Sequence, residues 1–147
     1  MTTTIRGVGL ILLCRHGSHI LTIEELRSKP HIAKRAGMLS FPLETVRDSE
    51  SAPRALRRLL HEEIGVHPDQ ITTPEQCGVF WHDFGTVGVN YTIYMSQCQR
   101  RITVAPQDND IAFHGWMAPY ELLAHTPVRV EVRTFLEACL ENGRTCP

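Results

Sequence analysis

The segment from Ser51 to Val66 leaves this chain the least freedom. Ser51 can cap a helix through its hydroxyl, Pro53 suits a first turn, and leucines fall at 56, 59 and 60. Gly65 stands where a helix end favours glycine, so the spacing predicts a helix over 52–64. The last turn of that helix carries Glu62 and Glu63, adjacent carboxylates where the helix dipole favours cations. The penalty is about 0.3–1 kcal/mol, which a fold tolerates. A divalent cation would neutralise the pair, and hard oxygen ligands suit Mg2+ or Mn2+. A solvated acidic helix end, with Arg58 as the i,i+4 partner of Glu62, explains the same residues without a ligand.

Strand signals surround the helix. Ile5–Cys14 is a β-rich apolar run, Arg15-His-Gly-Ser18 a turn, and His19–Ile23 a returning strand, which together predict a hairpin. Residues 24–35 are polar and hold Pro30, so a loop or a short irregular helix is expected; Leu39–Pro42 reads as a brief strand stopped by proline. Further strands are expected over 76–84, 89–98 and 112–117, with a polar, acidic loop at 105–110. Pro119 opens a short helix through Leu123. A last helix is expected over 127–142, with Val128, Val132, Phe135, Leu136 and Cys139 on one stripe and Gly143 at its end. Such a mixture argues for an α+β fold, a mixed α/β sandwich.

The 147 residues fit one domain, 1–147, and a chain of this length buries about two-thirds of its unfolded surface without a disulfide or a structural metal. Fifteen basic and 16 acidic residues give a net charge of −1, so no footprint for a nucleic-acid duplex is present. The apolar run Val8–Cys14 is far shorter than the ~20 residues of a membrane helix, and the first residues lack the order of a signal peptide. A cytoplasmic protein with no membrane partner is the expectation. The five cysteines (Cys14, Cys77, Cys98, Cys139 and Cys146) form no C-x-x-C pair and read as buried or reduced thiols.

Val46-Arg-Asp-Ser-Glu50, seven residues, and then Arg58-Leu-Leu-His-Glu62-Glu63-Ile-Gly65-Val66 together resemble the Nudix box, G-x5-E-x7-R-E-U-x-E-E-x-G-U with U aliphatic. Glu50, Arg58, Leu60, Glu62, Glu63, Gly65 and Val66 fall on the pattern. Upstream, Leu39-Ser-Phe-Pro42 is similar to the family's approach to P-G-G; downstream, Trp116–Leu122 is similar to its Trp strand and short helix. The resemblance implies a mixed α/β/α sandwich, with helices on both faces of a mixed central sheet. It also implies attack of a metal-activated water on the diphosphate of a nucleoside diphosphate derivative. Glu50, Arg58, Glu62 and Glu63 would be the catalytic set, and Glu62, Glu63 and Asp110, with Asp108 beside it, the ligands of Mg2+ or Mn2+. Arg58 would pair with Glu50 or another carboxylate and orient the loop. The partner would be a small nucleotide or diphosphate substrate, and a homodimer is compatible with the family.

Two positions depart from the pattern. Glu44 replaces the opening glycine, after Pro42-Leu43 in place of Pro-Gly, which restricts the backbone and adds negative charge where an anionic substrate would sit. Leu59 replaces the glutamate after Arg58, on the helix face shared by 62 and 63. It can neither hold metal nor act as base, and with Leu56 and Leu60 it reads as core. Two expectations follow: a weak or atypical hydrolase, or a catalytically inactive nucleotide-binding or regulatory domain. His16, His19, His61 and His114 offer no H-x-x-x-H zinc pair, and one of them is a candidate base in place of the missing glutamate. Trp81, Phe84, Tyr91 and Trp116 could stack a nucleobase, although core packing is the commoner use of such rings.

Overall fold

The computed structural model describes residues 2–14, 18–98, 102–125 and 127–141. Its central strand is β1, Thr3–Cys14, whose alternate residues enter two different cores: Val8, Leu10 and Leu12 one, Ile11 the other. Burial on both faces explains the unbroken apolar run. On one side β1 runs parallel to β6, Val87–Cys98, in register from Thr3↔Val87 to Cys14↔Cys98. Close approach is built into that pairing, because a Cβ on Gly7 would come within 2.8 Å of the Tyr91 ring. Antiparallel β5, Glu75–Asp83, lies outside β6.

The other edge of β1 is shared. Near its end Leu13 pairs with Ile20 of β2, Ile20–Glu25, while Gly7–Gly9 pair with β4, Leu43–Thr45. β2 also pairs with β3, Leu39–Ser40, and with β7, Ile111–Met117. Among the described residues this makes a seven-stranded mixed sheet of order β3-β2-β1-β6-β5, with β4 on β1 and β7 on β2. Strand β4 was not anticipated. It has three residues behind a proline, and its pairing depends on β1, over thirty positions away.

The helix after Ser51 forms as its signals require. Ser51 accepts from the Arg54 N–H, α1 covers Ala52–Arg58, and a wider π turn over Leu59–Glu63 completes the expected span. Gly65 closes it at φ +62, where a Cβ would lie 2.2 Å from the carbonyl oxygen of Ala105. On this face Leu56, Leu59, Leu60 and Ile64 pack on Val8, Leu10, Leu12 and Leu21. On the opposite face α2, Pro119–Ala124, and α3, Val130–Glu141, pack Leu122, Val132, Phe135 and Leu136 on Ile11, Ile20, Phe41 and Ile93. The α+β sandwich is therefore present.

The expected helix from 127 starts later, because Pro127–Arg129 is held extended: Leu39 N–H donates to Pro127 O and Arg129 N–H to Leu39 O. The turn residues Arg15–Gly17, with His16, and Asn142, Gly143 and Cys146 lie outside the described residues. Cys14, Cys98 and Cys139 are buried and Cys77 half-buried. Among the described residues no helix is long and apolar enough to cross a membrane.

Candidate active site

β2 and β4 leave the same edge of β1 at different heights, and a cleft of about 300 Å3 opens beside them. β4 and the end of the α1 helix form one flank; Glu25 at the end of β2, the arch from Lys29 to Lys34, and Arg129 form the other. Lys29 and Lys34 close that arch by paired backbone hydrogen bonds around a tight turn at Pro30–Ile32.

On the first flank Arg58 is the hub. Its Nε and Nη2 donate to the two oxygens of Glu50, at 3.1 and 2.8 Å, and Nη2 also donates to Thr45 O at 2.8 Å. Its Nη1 stands 3.4 Å from Glu44 Oε2. The guanidinium of Arg58, and then the Arg47 N–H, hold the Glu50 carboxyl down to about 2. The same bonds to Glu50 raise Arg58 above its ordinary value against the effect of burial. The fork-to-fork contact fixes the β4–α1 connection, since both partners are planar and the bonds are charge-assisted.

Glu63 lies deeper, 6% exposed, and its Oε2 has no hydrogen-bond partner. Burial first, and then the neighbouring Glu44 carboxyl, push it far above the usual carboxylate range, with Asp108 and Glu25 adding to the effect. Glu62 is exposed at the lip of the cleft. The 105–110 loop is strapped to this helix end: Ala105 N–H donates to Ile64 O and Gln107 N–H to Glu62 O. That strap brings Asp108 near Glu63. Asp110 also lines the cleft, but its carboxylate pairs with Arg27 at 2.7 Å.

The second flank is a buried charge network. Glu25 meets Arg129 Nη1 at 3.1 Å and Lys34 Nζ at 3.3 Å, and Arg129 Nη2 donates to Glu131 at 2.8 Å. Tyr91 donates its hydroxyl to the same Glu131 oxygen at 2.9 Å. Burial lowers the proton affinity of Arg129, but Glu131, Tyr91 and Glu25 outweigh it and hold that affinity above the ordinary value. Burial, then Glu131, likewise raises the Tyr91 hydroxyl.

The cleft thus gathers Arg58, Glu62, Glu63 and Asp110, with Glu50 held to it through Arg58. Among the described residues, no three His, Cys, Asp or Glu side chains converge closely enough to hold a metal ion as they stand. Leu59 is fully buried in the α1 core, as expected. His19, His61 and His114 stay out of the cleft, whereas His31, which was not singled out, lines it. Tyr91 stacks on Phe80 with ring centroids 5.1 Å apart, and Trp81 is about half exposed on β5. Glu25, Lys34 and Arg129 were missed. Their only trace in the sequence is a charged residue beside a strand or helix end, which is common on surfaces.

The sequence has no significant match among curated proteins. Solved structures match over nearly the whole chain. The MutT protein of Methanosarcina mazei Go1 is 15% identical, with 98% of each chain covered and a TM-score of 0.72. The NUDIX domain of Shewanella oneidensis NrtR, solved in complex with ADP ribose, is 16% identical, with 97% of this chain and 90% of that one covered and a TM-score of 0.73. A MutT NUDIX hydrolase from Burkholderia pseudomallei is 22% identical, with 92% and 97% covered and a TM-score of 0.69. These likenesses concern the fold. The model of the NUDIX domain matches residues 3–139, nearly the full length, and the chain belongs to the NUDIX family.

Proposed function

We propose that the chain hydrolyses a diphosphate bond in a nucleotide derivative, with Mg2+ or Mn2+ as cofactor. The observation that carries this reading is Glu63, a buried carboxyl with an unpartnered oxygen on a flank rich in acids. The donor set fits the ion, since every candidate is a carboxylate oxygen. Glu63 and Glu62 are the proposed ligands, joined from the 105–110 loop by Asp108, or by Asp110 once it releases Arg27. When bound, the cation neutralises the diphosphate and acidifies a water.

The chain's own groups do the rest. Arg58, clamped by Glu50, orients the β4–α1 connection, which is why both belong to the proposed catalytic set. Lys29, which lines the opposite flank, would meet phosphate oxygens. The attacking water gives up its proton to solvent at the open mouth of the cleft. The water oxygen bonds to one phosphorus as the bridging P–O bond breaks, and the leaving oxygen departs with the second phosphate. ADP ribose, found with the NrtR domain, is a suitable first substrate for the test. The purified chain is incubated with ADP ribose, nucleoside triphosphates and dinucleoside polyphosphates, with Mg2+ or Mn2+. Turnover should appear, and Glu63→Gln should lower it about 100-fold. No product from any substrate with either ion would end this reading.

A second reading, a nucleotide-binding domain without catalysis, is favoured by Leu59, which gives the core what a hydrolase would give the site. Calorimetry separates the two. ADP ribose bound equally well with and without metal, and never cleaved, belongs to the second.

A further inference from the structure

Glu44, on β4, and Glu63, at the end of the α1 helix, line the same cleft, and the Glu44 carboxyl is among the groups that act on Glu63. Among the described residues only Arg58 pairs with a carboxylate at this corner, and its bonds go to Glu50, Thr45 O and, at 3.4 Å, Glu44. Glu63 receives none of them, and its Oε2 is buried with no donor. Across the cleft Glu25, by contrast, is ion-paired with Lys34 at 3.3 Å and with Arg129 at 3.1 Å. A buried acceptor without a donor on the acidic flank calls for a compact cation. Mg2+ commonly takes one or two protein carboxylates and completes its shell with waters and phosphate oxygens, so a pair is enough where no third group converges.

We propose that Glu44 is a ligand of the cleft cation, acting with Glu63, so that β4 supplies the carboxylate that the helix lacks at Leu59. This rests on the metal-dependent reading above. Glu44 then no longer repels an anionic substrate, because its charge is taken up by the ion and by Arg58.

The test is direct Mn2+ binding to the full chain, followed by electron paramagnetic resonance, without substrate. Glu44→Gln, Glu44→Asp and Glu63→Gln are compared with the parent, and circular dichroism and Mn2+-induced thermal shifts show that each is folded. The parent should bind, and Glu44→Gln and Glu63→Gln should each weaken binding about tenfold or more. Glu44→Asp, which keeps the carboxylate, should stay within about threefold of the parent and keep its thermal shift. Parent-like binding by Glu44→Gln with loss in Glu63→Gln would overturn the role of Glu44 and leave the metal reading standing. Equal weakening by Gln and Asp would reduce Glu44 to a structural role. A parent that binds no Mn2+ would remove both.

Discussion

The two flanks of the cleft handle charge in opposite ways. On the flank of Glu25, Lys34, Arg129 and Glu131, two acids face two bases, and Tyr91 completes the set. On the other flank Glu44, Glu50, Glu62, Glu63 and Asp108 crowd together, and among the described residues Arg58 alone forms ion pairs with any of them. Both arrangements bury charge, which rarely stabilises a fold by itself. The closed flank has recovered its cost through mutual pairing and so behaves as structure. The open flank has not, and its excess of negative charge is what makes it the proposed cation site.

Removing one charge from each flank should therefore shift stability in opposite directions. Arg129→Met keeps the volume but strands Glu25 and Glu131 in the interior, and urea denaturation should show a loss of about 3–5 kcal/mol. A loss below about 1 kcal/mol would mean that the network is dispensable and the flanks alike. Glu63→Gln should instead stabilise the metal-free protein at neutral pH, by roughly 1–2 kcal/mol, because it removes a buried carboxyl that ionises reluctantly. The sign follows from its raised proton affinity in the folded state. An unfolded chain releases that proton above the ordinary carboxylate range, so the parent loses stability as pH rises from there, whereas the variant does not. The gap in melting temperature between the two should be wider at pH 8 than at pH 5. A variant less stable than the parent at pH 8 would show that Glu63 is satisfied without a cation.

The two flanks were also unequally legible in the sequence. Ser51, Pro53 and Gly65 act within one helix turn, so the helix and the position of Glu62 and Glu63 could be read directly, as could Leu59 in the core stripe. The pairing of Arg58 with Glu50 was implied by the resemblance, which left another carboxylate open, because Glu50 lies ahead of the Ser51 cap and outside the helix. Glu25, Lys34 and Arg129 come together only because β2, the 29–34 arch and the extended Pro127–Arg129 stretch converge, with over a hundred positions between Glu25 and Arg129. No local pattern encodes that contact. The same limit hid β4, and hence the approach of Glu44 to Glu63. Asp110 lines the cleft, but its pairing with Arg27, which lies in a different loop, was unforeseen. Local signals gave positions along the chain, and the sheet decided which charges meet.

The Glu50–Arg58 clamp stands between the two behaviours, and acid titration can place it. It is paired like the closed flank, yet it sits at the edge of the open one, where water screens it. Its effect should be the smallest of the three. Arg58 and the Arg47 N–H hold the folded Glu50 carboxyl at about 2, below the ordinary value of 4.5, so the folded state keeps this carboxylate ionised longer than the unfolded chain does. Its stabilising contribution is complete above that ordinary value and disappears as pH falls through about 2. Glu50→Gln should accordingly melt below the parent at pH 7 by the same margin as at pH 5.5, and the margin should shrink steadily from pH 4.5 to pH 2. A margin that stays constant down to pH 2 would mean that the shape of Glu50, rather than its charge, holds Arg58. The clamp would then be structure of the same kind as the network across the cleft.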